Sequence, residues 1–373
     1  MSGKKFIMLF FSSVIGLVGT IALAFYILDP LFYYRDEGLI EPQYNADARY
    51  QMPGLLRNKE YETLITATSM GRNFREDYVD DTLNTESLNG SLASSYAKEQ
   101  SMVAQFALQE NEQLNHVIWE LNFYSFAEDP EKVLDSATPF PTYMYDDSKL
   151  NDIKYLFHSY NVRLAANNVL ANVSNDELRR NPEELYKFGQ VAPEESIERI
   201  DGWLQRAPEL QEYPENETKE VMIASFKENV IQVIEDNPDT TFTFFYAPYP
   251  VYNQHRYYLQ HNRYLEERLA FKEEVFELLS QYDNAELYDF QDQKEITFDA
   301  GNYMADAVHY YEYINEYIIN TIASEDPVTS KTAYDQQLEN LKNQVINFNV
   351  DQLRNVGYVN RDETEEDVVS MNQ

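Results

Sequence analysis

The longest apolar stretch of the chain covers residues 6–28 and contains no charged side chain. At about 1.5 Å per residue, a helix of this length can cross the ~30 Å hydrocarbon core of a bilayer. Lys4 and Lys5 precede the stretch and favour a cytoplasmic N-terminus, so the chain after Asp29 is expected outside the cell. A cleaved signal peptide would have a shorter apolar region of ~7–15 residues and a small-residue cleavage site. We therefore expect a cytoplasmic stub and an uncleaved single-pass membrane anchor in residues 1–28.

Beyond the anchor, short runs of β-branched and aromatic residues alternate with segments of helical periodicity. The pattern predicts strands at 64–66, 117–122, 241–247 and 285–290, and the segment 87–95 could hold another. It predicts helices at 76–83, 98–112, 262–281 and 334–345, and a helix that begins at Asp306 and ends near 322. This alternation indicates an α/β fold, in which a mostly parallel sheet forms the middle of three layers. In such sheets the ligand site lies at the carboxyl ends of the strands, which is where Ser69 and Asn122 fall.

The domain organisation follows from breaks in this pattern. Residues 29–60 contain three prolines and are expected to form an irregular connector. Residues 61–325 are expected to form the α/β domain, with a helical insertion at about 129–237 whose first part caps the site. The insertion is predicted to contain helices at 150–172, 193–206 and 218–235. The polar tail 326–373 is expected to be partly helical and then disordered from 361 onward.

Composition excludes several classes of function. The chain has no cysteine, which rules out disulfides, thiolate catalysis and cysteine-based zinc sites. With 64 acidic and 29 basic residues its net charge is −35, which argues against nucleic-acid binding. His116, His158, His255 and His261 are scattered without metal-ligand spacing, so neither a metal nor another cofactor is expected. The acidity itself is typical of a solvated surface, and a salty medium would screen its self-repulsion.

Three residues could supply nucleophilic chemistry. Ser69 ends a short apolar strand that runs into small residues, and Asp306 and His309 lie three residues apart far downstream. One helical turn separates residues at this spacing, so a helix would bring the acid and the imidazole to a common point. A serine nucleophile needs an adjacent base, and the base needs an acceptor that fixes its tautomer. Either element alone also has a plain structural reading, because serine is common in turns and Asp often begins a helix.

The order of these elements resembles the SGNH (GDSL-like) esterase and acyltransferase superfamily. The family's first block ends in its nucleophilic serine and here reads Ala67-Thr68-Ser69, with alanine where the family has glycine. Its last block is Asp-x-x-His, matched by Asp306 and His309. The resemblance therefore implies a flavodoxin-like sheet and a Ser-His-Asp triad.

The same resemblance implies an oxyanion hole. The second block normally contributes a glycine N–H, but the matching segment 93–99 has no glycine, so Ser94 and Ser95 could offer backbone N–H groups instead. The third block contributes an asparagine side chain, which Asn122 matches by its place at a strand end. Asn122 could equally begin a turn.

Other residues are candidates for substrate binding. Arg72 could orient an anionic substrate or cap the following helix. Tyr249 and Arg256 belong to an aromatic patch after the strand 241–247, which could stack on sugar rings or pack beneath the insertion.

Four features also resemble a group of anchored SGNH-like proteins of Gram-positive bacteria: the anchor, the segment 29–34, the segment 49–54, and Thr68-Ser69-Met70 followed by Asn73-Phe74. This resemblance covers most of residues 1–126 and 240–320. More distantly, the chain is similar to extracytoplasmic proteins that work with membrane-bound O-acyltransferases on cell-surface polymers. These resemblances imply a serine esterase or O-acyltransferase that acts on a cell-envelope glycopolymer or its acyl donor, with a membrane-bound O-acyltransferase as a conceivable partner. The alternative is a catalytically inactive SGNH scaffold that binds a glycopolymer or organises an envelope complex.

Overall fold

The computed structural model describes residues 2–35, 38–41, 44, 48–136, 138–146, 148, 150–174 and 193–355. The strands are β1 (Thr63–Thr66), β2 (Ser87–Asn89), β3 (His116–Glu120), β4 (Thr241–Tyr246) and β5 (Ala285–Asp289). The helices are α1 (Gly3–Leu28), α2 (Ala48–Asn58), α3 (Glu76–Leu83), α4 (Ala97–Glu110), α5 (Phe123–Phe126), α6 (Asp152–Phe157), α7 (Ser159–Ser174), α8 (Pro193–Leu204), α9 (Lys219–Phe226), α10 (Gln232–Asp236), α11 (Val251–Gln260), α12 (Arg263–Leu279), α13 (Lys294–Thr297), α14 (Glu312–Ser324) and α15 (Lys331–Ile346). A π-helical turn, Lys227–Ile231, joins α9 to α10.

The strands form one five-stranded sheet in the order β2-β1-β3-β4-β5, and every neighbouring pair is parallel. The protein is therefore a mixed α/β structure with a parallel sheet, as the alternation of strands and helices predicts. The chain leaves β1 in one direction to build β2 and then crosses to the other side of β1 to build β3. The carboxyl ends of β1 and β3 consequently flank the point where the winding direction changes, and a crevice forms at such a point.

Burial on both faces explains why the strand segments are almost continuously apolar. All four residues of β1 are buried, as are the last four of β3 and the last five of β4. Parallel strands covered on both sides read as apolar runs rather than as alternating patterns. Glu120 is the exception, because it is a carboxylate at the buried end of β3.

The chain forms two compact units. One comprises residues 1–61, 102–113 and 133–186, and the other comprises 62–101, 114–132 and 187–373. The sheet belongs entirely to the second unit. The predicted insertion at about 129–237 is divided between the two units rather than forming one body.

In the first unit, α1 is 26 residues long and apolar enough to cross a membrane, with a mean hydropathy of 2.3 over its central window. The helix ends at Asp29, a buried residue with a left-handed backbone (φ 36°). The carboxylate of Asp29 accepts hydrogen bonds from the backbone N–H groups of Tyr33, Tyr34 and Arg35 and from the Tyr155 hydroxyl. This carboxylate therefore fixes the path of the chain as it leaves α1.

The expected irregular connector 29–60 contains a regular helix, because α2 (Ala48–Asn58) runs through Pro53. A proline inside a helix leaves the carbonyl four residues earlier without its usual donor. Here that carbonyl belongs to Arg49, and the Tyr145 hydroxyl donates to it at 2.8 Å. A hydroxyl from another part of the same unit thus replaces the missing N–H.

A second difference concerns the segment after Asp306, which is not the start of a helix. Helix α14 begins at Glu312, and residues 304–310 form a closed loop in which the His309 carbonyl accepts from the Met304 N–H at 2.7 Å. The predicted helix 150–172 is also divided, at His158, into α6 and α7. The other helices that the sequence predicts lie within a few residues of their predicted bounds. The tail from 361 onward, for which we expected disorder, lies outside the described residues.

Candidate active site

Ser69 lies in a tight turn directly after β1. The turn is a single 3-10 turn, Ser69–Gly71, and Thr68 caps it by accepting the Met70 N–H. Two asparagines hold the backbone of this segment from outside. Asn315 donates to the Met70 carbonyl, and Asn89 donates to the carbonyls of Gly71 and Phe74. The turn therefore presents a half-buried serine hydroxyl on a backbone that side chains from two other elements, β2 and α14, hold in place.

Glycine at 71 is required by close packing within this turn. A Cβ built on Gly71 would lie 2.4 Å from the Ala67 Cβ and 2.7 Å from the Ser91 Oγ. Both distances are far below van der Waals contact. Ala67 thus occupies the space beside Gly71, so the alanine in the first sequence block is accommodated by a glycine four residues later.

His309 reaches the serine from the loop 304–310. Its Nε2 lies 2.7 Å from the Ser69 Oγ, and its Nδ1 lies 2.6 Å from the Asp306 Oδ2. The other Asp306 oxygen accepts the backbone N–H groups of Val308 and His309, each at 2.9 Å. Asp306 therefore accepts three hydrogen bonds within one short segment, two from His309 and one from Val308.

This geometry needs a left-handed backbone at Ala307 (φ 62°), which a non-glycine residue rarely adopts. The Asn253 side chain donates to the Ala307 carbonyl and helps to hold the loop. Asp306 and His309 are thus brought together by a turn and not by lying on one face of a helix. Burial alone would raise the pKa of the half-exposed Asp306 carboxyl, but the hydrogen bond and charge of His309 and two backbone N–H groups hold that pKa below its ordinary value.

Glu120 lies next to the turn that carries Ser69 and is fully buried. Its Oε2 accepts both the N–H and the hydroxyl of Thr68, each at 2.7 Å, and its Oε1 accepts from the Asn122 Nδ2 at 3.1 Å and from the Tyr249 hydroxyl at 3.5 Å. Burial raises the pKa of Glu120, and the hydrogen bonds from Thr68 and Asn122 offset only part of that effect. The carboxylate connects the residue before the nucleophile to the side chains at the next strand end.

Asn122 has the turn-forming role that its position suggested, and its side chain also lines the cleft. Its Oδ1 accepts the Tyr124 N–H and caps α5, which is a turn-forming role. Its Nδ2 faces the site and donates to Glu120 and to the Tyr249 hydroxyl. Burial and the neighbouring Glu120 raise the pKa of Tyr249 well above the ordinary value, so that hydroxyl stays protonated near neutrality.

Of the two serines proposed as oxyanion donors, only Ser94 reaches the cleft. Ser95 is buried, its N–H donates to the Leu92 carbonyl, and its hydroxyl lies in a network with Gln100. Ser94 is exposed and has a left-handed backbone (φ 53°), the conformation that glycine adopts most easily. Its N–H has no hydrogen-bond partner among the described residues. The absence of a glycine here is therefore compensated by a serine that adopts a glycine-like conformation.

These groups surround a cleft of ≈ 250 Å³. Ser69, His309, Asn122, Ser94 and Tyr249 all line it, and the other lining residues include Thr68, Phe123, Tyr124, Asn253, Gln254, Tyr257, Arg268 and Gln291.

Two predicted binding residues lie elsewhere. Arg72 ends the 3-10 turn and is not among the described residues that line the cleft, and α3 begins at Arg75 without a side-chain cap. Arg256 lies over the Trp203 ring and donates to the Arg206 carbonyl at 2.8 Å. The arginine that lines the cleft is Arg268, which the sequence analysis did not identify.

Glu120 and Gln100 are the other site residues that were missed. Gln100 accepts from the Trp119 ring N–H and donates to the hydroxyls of Ser95 and Ser125, which braces the loop that carries Ser94. The available signal was a charged residue inside a run of strand-forming side chains, Trp119-Glu120-Leu121, since such a residue is almost never buried without partners. Within the described parts of the chain, no group of three or more His, Asp or Glu side chains is arranged to hold a metal ion.

Comparison with protein-family models gives no match to this chain, and comparison with curated proteins gives none either.

Proposed function

We propose that the protein is an extracytoplasmic serine esterase or O-acyltransferase of the SGNH type that acts on a cell-envelope glycopolymer. The observation that carries the proposal is the continuous chain of hydrogen bonds from Ser69 through His309 to Asp306, at 2.7 and 2.6 Å. A neutral imidazole whose Nδ1–H donates to Asp306 presents the lone pair of Nε2 to the serine hydroxyl. This arrangement is what a serine nucleophile requires.

The reaction would run in two steps. In the first, the Ser69 Oγ attacks the ester carbonyl while its proton passes to His309 Nε2, and that proton then goes to the departing alcohol. In the second, His309 takes a proton from water or from a sugar hydroxyl, whose oxygen attacks the acyl-serine, and Ser69 regains its proton. Water gives hydrolysis, and a sugar hydroxyl gives acyl transfer.

Two backbone donors support an oxyanion hole beside Ser69. The N–H groups of Ser69 and Ser94 have no partner among the described residues, and Asn122 lines the same cleft. Donors of this kind stabilise the charge that develops on the carbonyl oxygen, and losing one typically costs ~10²–10³ in rate.

The strand order and the crossing after β1 also fit the SGNH proposal. The order β2-β1-β3-β4-β5 is one of the two common doubly wound orders, and Ser69 and Asn122 follow the two strands at its switch point. A three-layer SGNH arrangement places its nucleophile and its asparagine at these same strand ends. We further propose that α1 anchors the protein with a cytoplasmic N-terminus, so that the site faces the envelope polymers. A membrane-bound O-acyltransferase would then be a natural acyl supplier.

The test uses the full-length protein in detergent, a serine-reactive fluorophosphonate and a chromogenic acetyl ester. Ser69→Ala should abolish labelling, and Ser69→Ala and His309→Ala should each lower ester turnover by several orders of magnitude. Ser280→Ala is the matched control, because this serine ends α12 and its hydroxyl donates only to the Glu277 carbonyl. Labelling that persists in Ser69→Ala would refute the assignment of the nucleophile.

One observation favours the second candidate, an inactive scaffold. The Asn122 Nδ2 donates to Glu120 and to Tyr249, so a substrate oxygen would have to displace one of these contacts to use it. A folded wild-type protein that is neither labelled nor active would support a scaffold that binds a glycopolymer without chemistry.

A further inference from the structure

The cleft at Ser69 has a charge balance opposite to that of the chain. Acidic residues outnumber basic ones by 64 to 29 overall. Yet the described residues that line the cleft include Arg268 and His309 and no carboxylate. Because a cavity wall focuses the field of the charges that line it, Arg268 acts strongly on a ligand in the cleft, although Glu217, which is not among the lining residues, lies 3.6 Å from one of its nitrogens.

Arg268 is held over aromatic rings at one end of this cleft. Its guanidinium carbon lies 4.5 Å from the centre of the Tyr257 ring, 5.1 Å from that of Phe123 and 5.3 Å from that of Tyr264. The side chain is 20% exposed. The rings therefore fix the plane of the guanidinium and leave its edge for hydrogen bonding.

That edge has few partners. The guanidinium makes no hydrogen bond to any residue that the structure describes, and its Nε is buried without a partner. The nearest carboxylate, on Glu217, lies 3.6 Å from one terminal nitrogen, which is beyond hydrogen-bond distance. A guanidinium has five N–H donors, and desolvating them without acceptors is costly. A guanidinium that is fixed and desolvated, with one carboxylate nearby but without a hydrogen bond, is suited to receive an acceptor from a ligand.

We propose that Arg268, with Tyr257 and Phe123, forms an anion subsite of the cleft, and that the substrate carries a carboxylate or phosphate near its ester. Planar guanidinium groups bind both anions through paired, charge-assisted hydrogen bonds. Tyr257 and Tyr124 line the same cleft and are 37% and 47% exposed, so each offers a face for the ring of an attached sugar. The ligand class is thus an anionic sugar or polyol unit of a polymer. The ester in this inference rests on the proposed function, whereas the binding of an anion by Arg268 does not.

The binding test separates the subsite from catalysis. Full-length protein carrying Ser69→Ala is titrated by calorimetry with D-glucuronate, with glycerol phosphate and with D-glucose. We expect at least one of the two anions to bind about tenfold or more tightly than neutral glucose, as charge-assisted hydrogen bonds imply. Binding of glucuronate alone identifies a carboxylate ligand, and binding of glycerol phosphate alone identifies a phosphate.

Arg268→Gln should remove this preference, whereas Arg256→Gln is the matched control. Arg256 also lies over an aromatic ring, that of Trp203 at 4.7 Å, but it does not line the Ser69 cleft. Arg268→Lys, which keeps the charge but loses the planar fork, should retain part of the preference and serves if the glutamine variant fails to fold. Equal binding of glucose and both anions, or equal losses in the variants of Arg256 and Arg268, would overturn the subsite.

The outcome is distinguishable from a failure of the proposed function. Arg268-dependent anion binding in a protein whose Ser69 is unreactive would keep the subsite and reject the esterase. Ser69-dependent turnover with the same rates for neutral and anionic esters, in the wild type and in Arg268→Gln, would keep the esterase and reject the subsite.

Discussion

At the scale of single residues, the site depends on a carboxylate that is placed to hold other groups and not to react. Glu120 accepts two hydrogen bonds from Thr68, the neighbour of the nucleophile, and others from Asn122 and Tyr249. Glu120 is the acceptor in all four of these hydrogen bonds. An ionised carboxylate, which only accepts, matches them, whereas an amide would turn an NH₂ group toward one pair.

We therefore expect Glu120→Gln to lower kcat on a chromogenic ester by about 10- to 100-fold with little change in KM. The reason is that a misplaced nucleophile turn weakens transition-state contacts more than binding of the ground state. Glu339→Gln, on the exposed face of α15, is the control. A purely structural role for Glu120 would instead leave kcat unchanged in the folded fraction.

The same substitution should change how stability depends on pH. Because burial raises the pKa of Glu120 above its ordinary value of 4.5, the folded protein holds a proton that the unfolded chain releases. Between that ordinary value and the raised one, wild-type stability falls as pH rises, and glutamine lacks this contribution. The Tm of Glu120→Gln relative to wild type should thus increase from about pH 4.5 upward, measured by thermal unfolding. A relative Tm that falls with pH would contradict the raised pKa.

At the scale of elements, the turn after β1 is one of the tightly packed parts of the fold. Gly71 touches Ala67 and Ser91 closely enough that no Cβ fits without movement of the backbone. The turn also carries Ser69, so any displacement of the turn moves the Ser69 hydroxyl as well.

Gly71→Ala should destabilise the protein by about 1–3 kcal/mol through overpacking, and it should slow fluorophosphonate labelling of Ser69. Gly202→Ala in α8 is the control, because nothing lies within 4 Å of the added Cβ. In a helix interior this change should be neutral or stabilise by about 0.5–1 kcal/mol. Thermal unfolding of the two variants tests the difference, and equal stabilities would disprove the close contact.

The elements also indicate what the sequence could predict. Apart from β2, for which only the segment 87–95 was suggested, the strands were located to within two residues. They are largely buried, and burial on both faces leaves a continuous apolar run in the sequence. The helix expected at Asp306 was wrong for a local reason. An aspartate that accepts the N–H groups two and three residues later is common to helix starts and to turns. Only the left-handed Ala307 and the Met304–His309 hydrogen bond distinguish the two, and neither has a sequence signal.

The chemistry of the site was predictable in part for a similar reason. Ser69, Asp306 and His309 stand out because their spacing and order are specific. The arginine of the cleft did not stand out, since Arg256 and Arg268 lie on neighbouring helices of similar composition and only packing decides which one faces the cleft. The role of Glu120 depends on Thr68, 52 residues earlier in the chain, and such pairings are invisible to local patterns.

At the scale of the whole molecule, a helix that can span a bilayer is combined with a strongly acidic chain. A helix of 26 residues that can span a bilayer is followed by an acidic polypeptide, and the chain carries −35 in total. We expect external protease on intact protoplasts to release the part after Asp29, because the two lysines before α1 favour a cytoplasmic N-terminus. A tag at residue 1 should stay protected, as an immunoblot would reveal. Cleavage of that tag before lysis, or full protection of the part after Asp29, would contradict a cytoplasmic N-terminus with the rest of the chain outside.

Ser69 and His309 are separated by 240 residues of sequence. During synthesis, which begins at the N-terminus, Ser69 emerges long before the segment that carries Asp306 and His309. If Ser69 is the nucleophile that we propose, a nascent or truncated chain contains it without the base that would activate it. The proposed acyl-transfer activity would then appear only when the last parts of the α/β unit have folded.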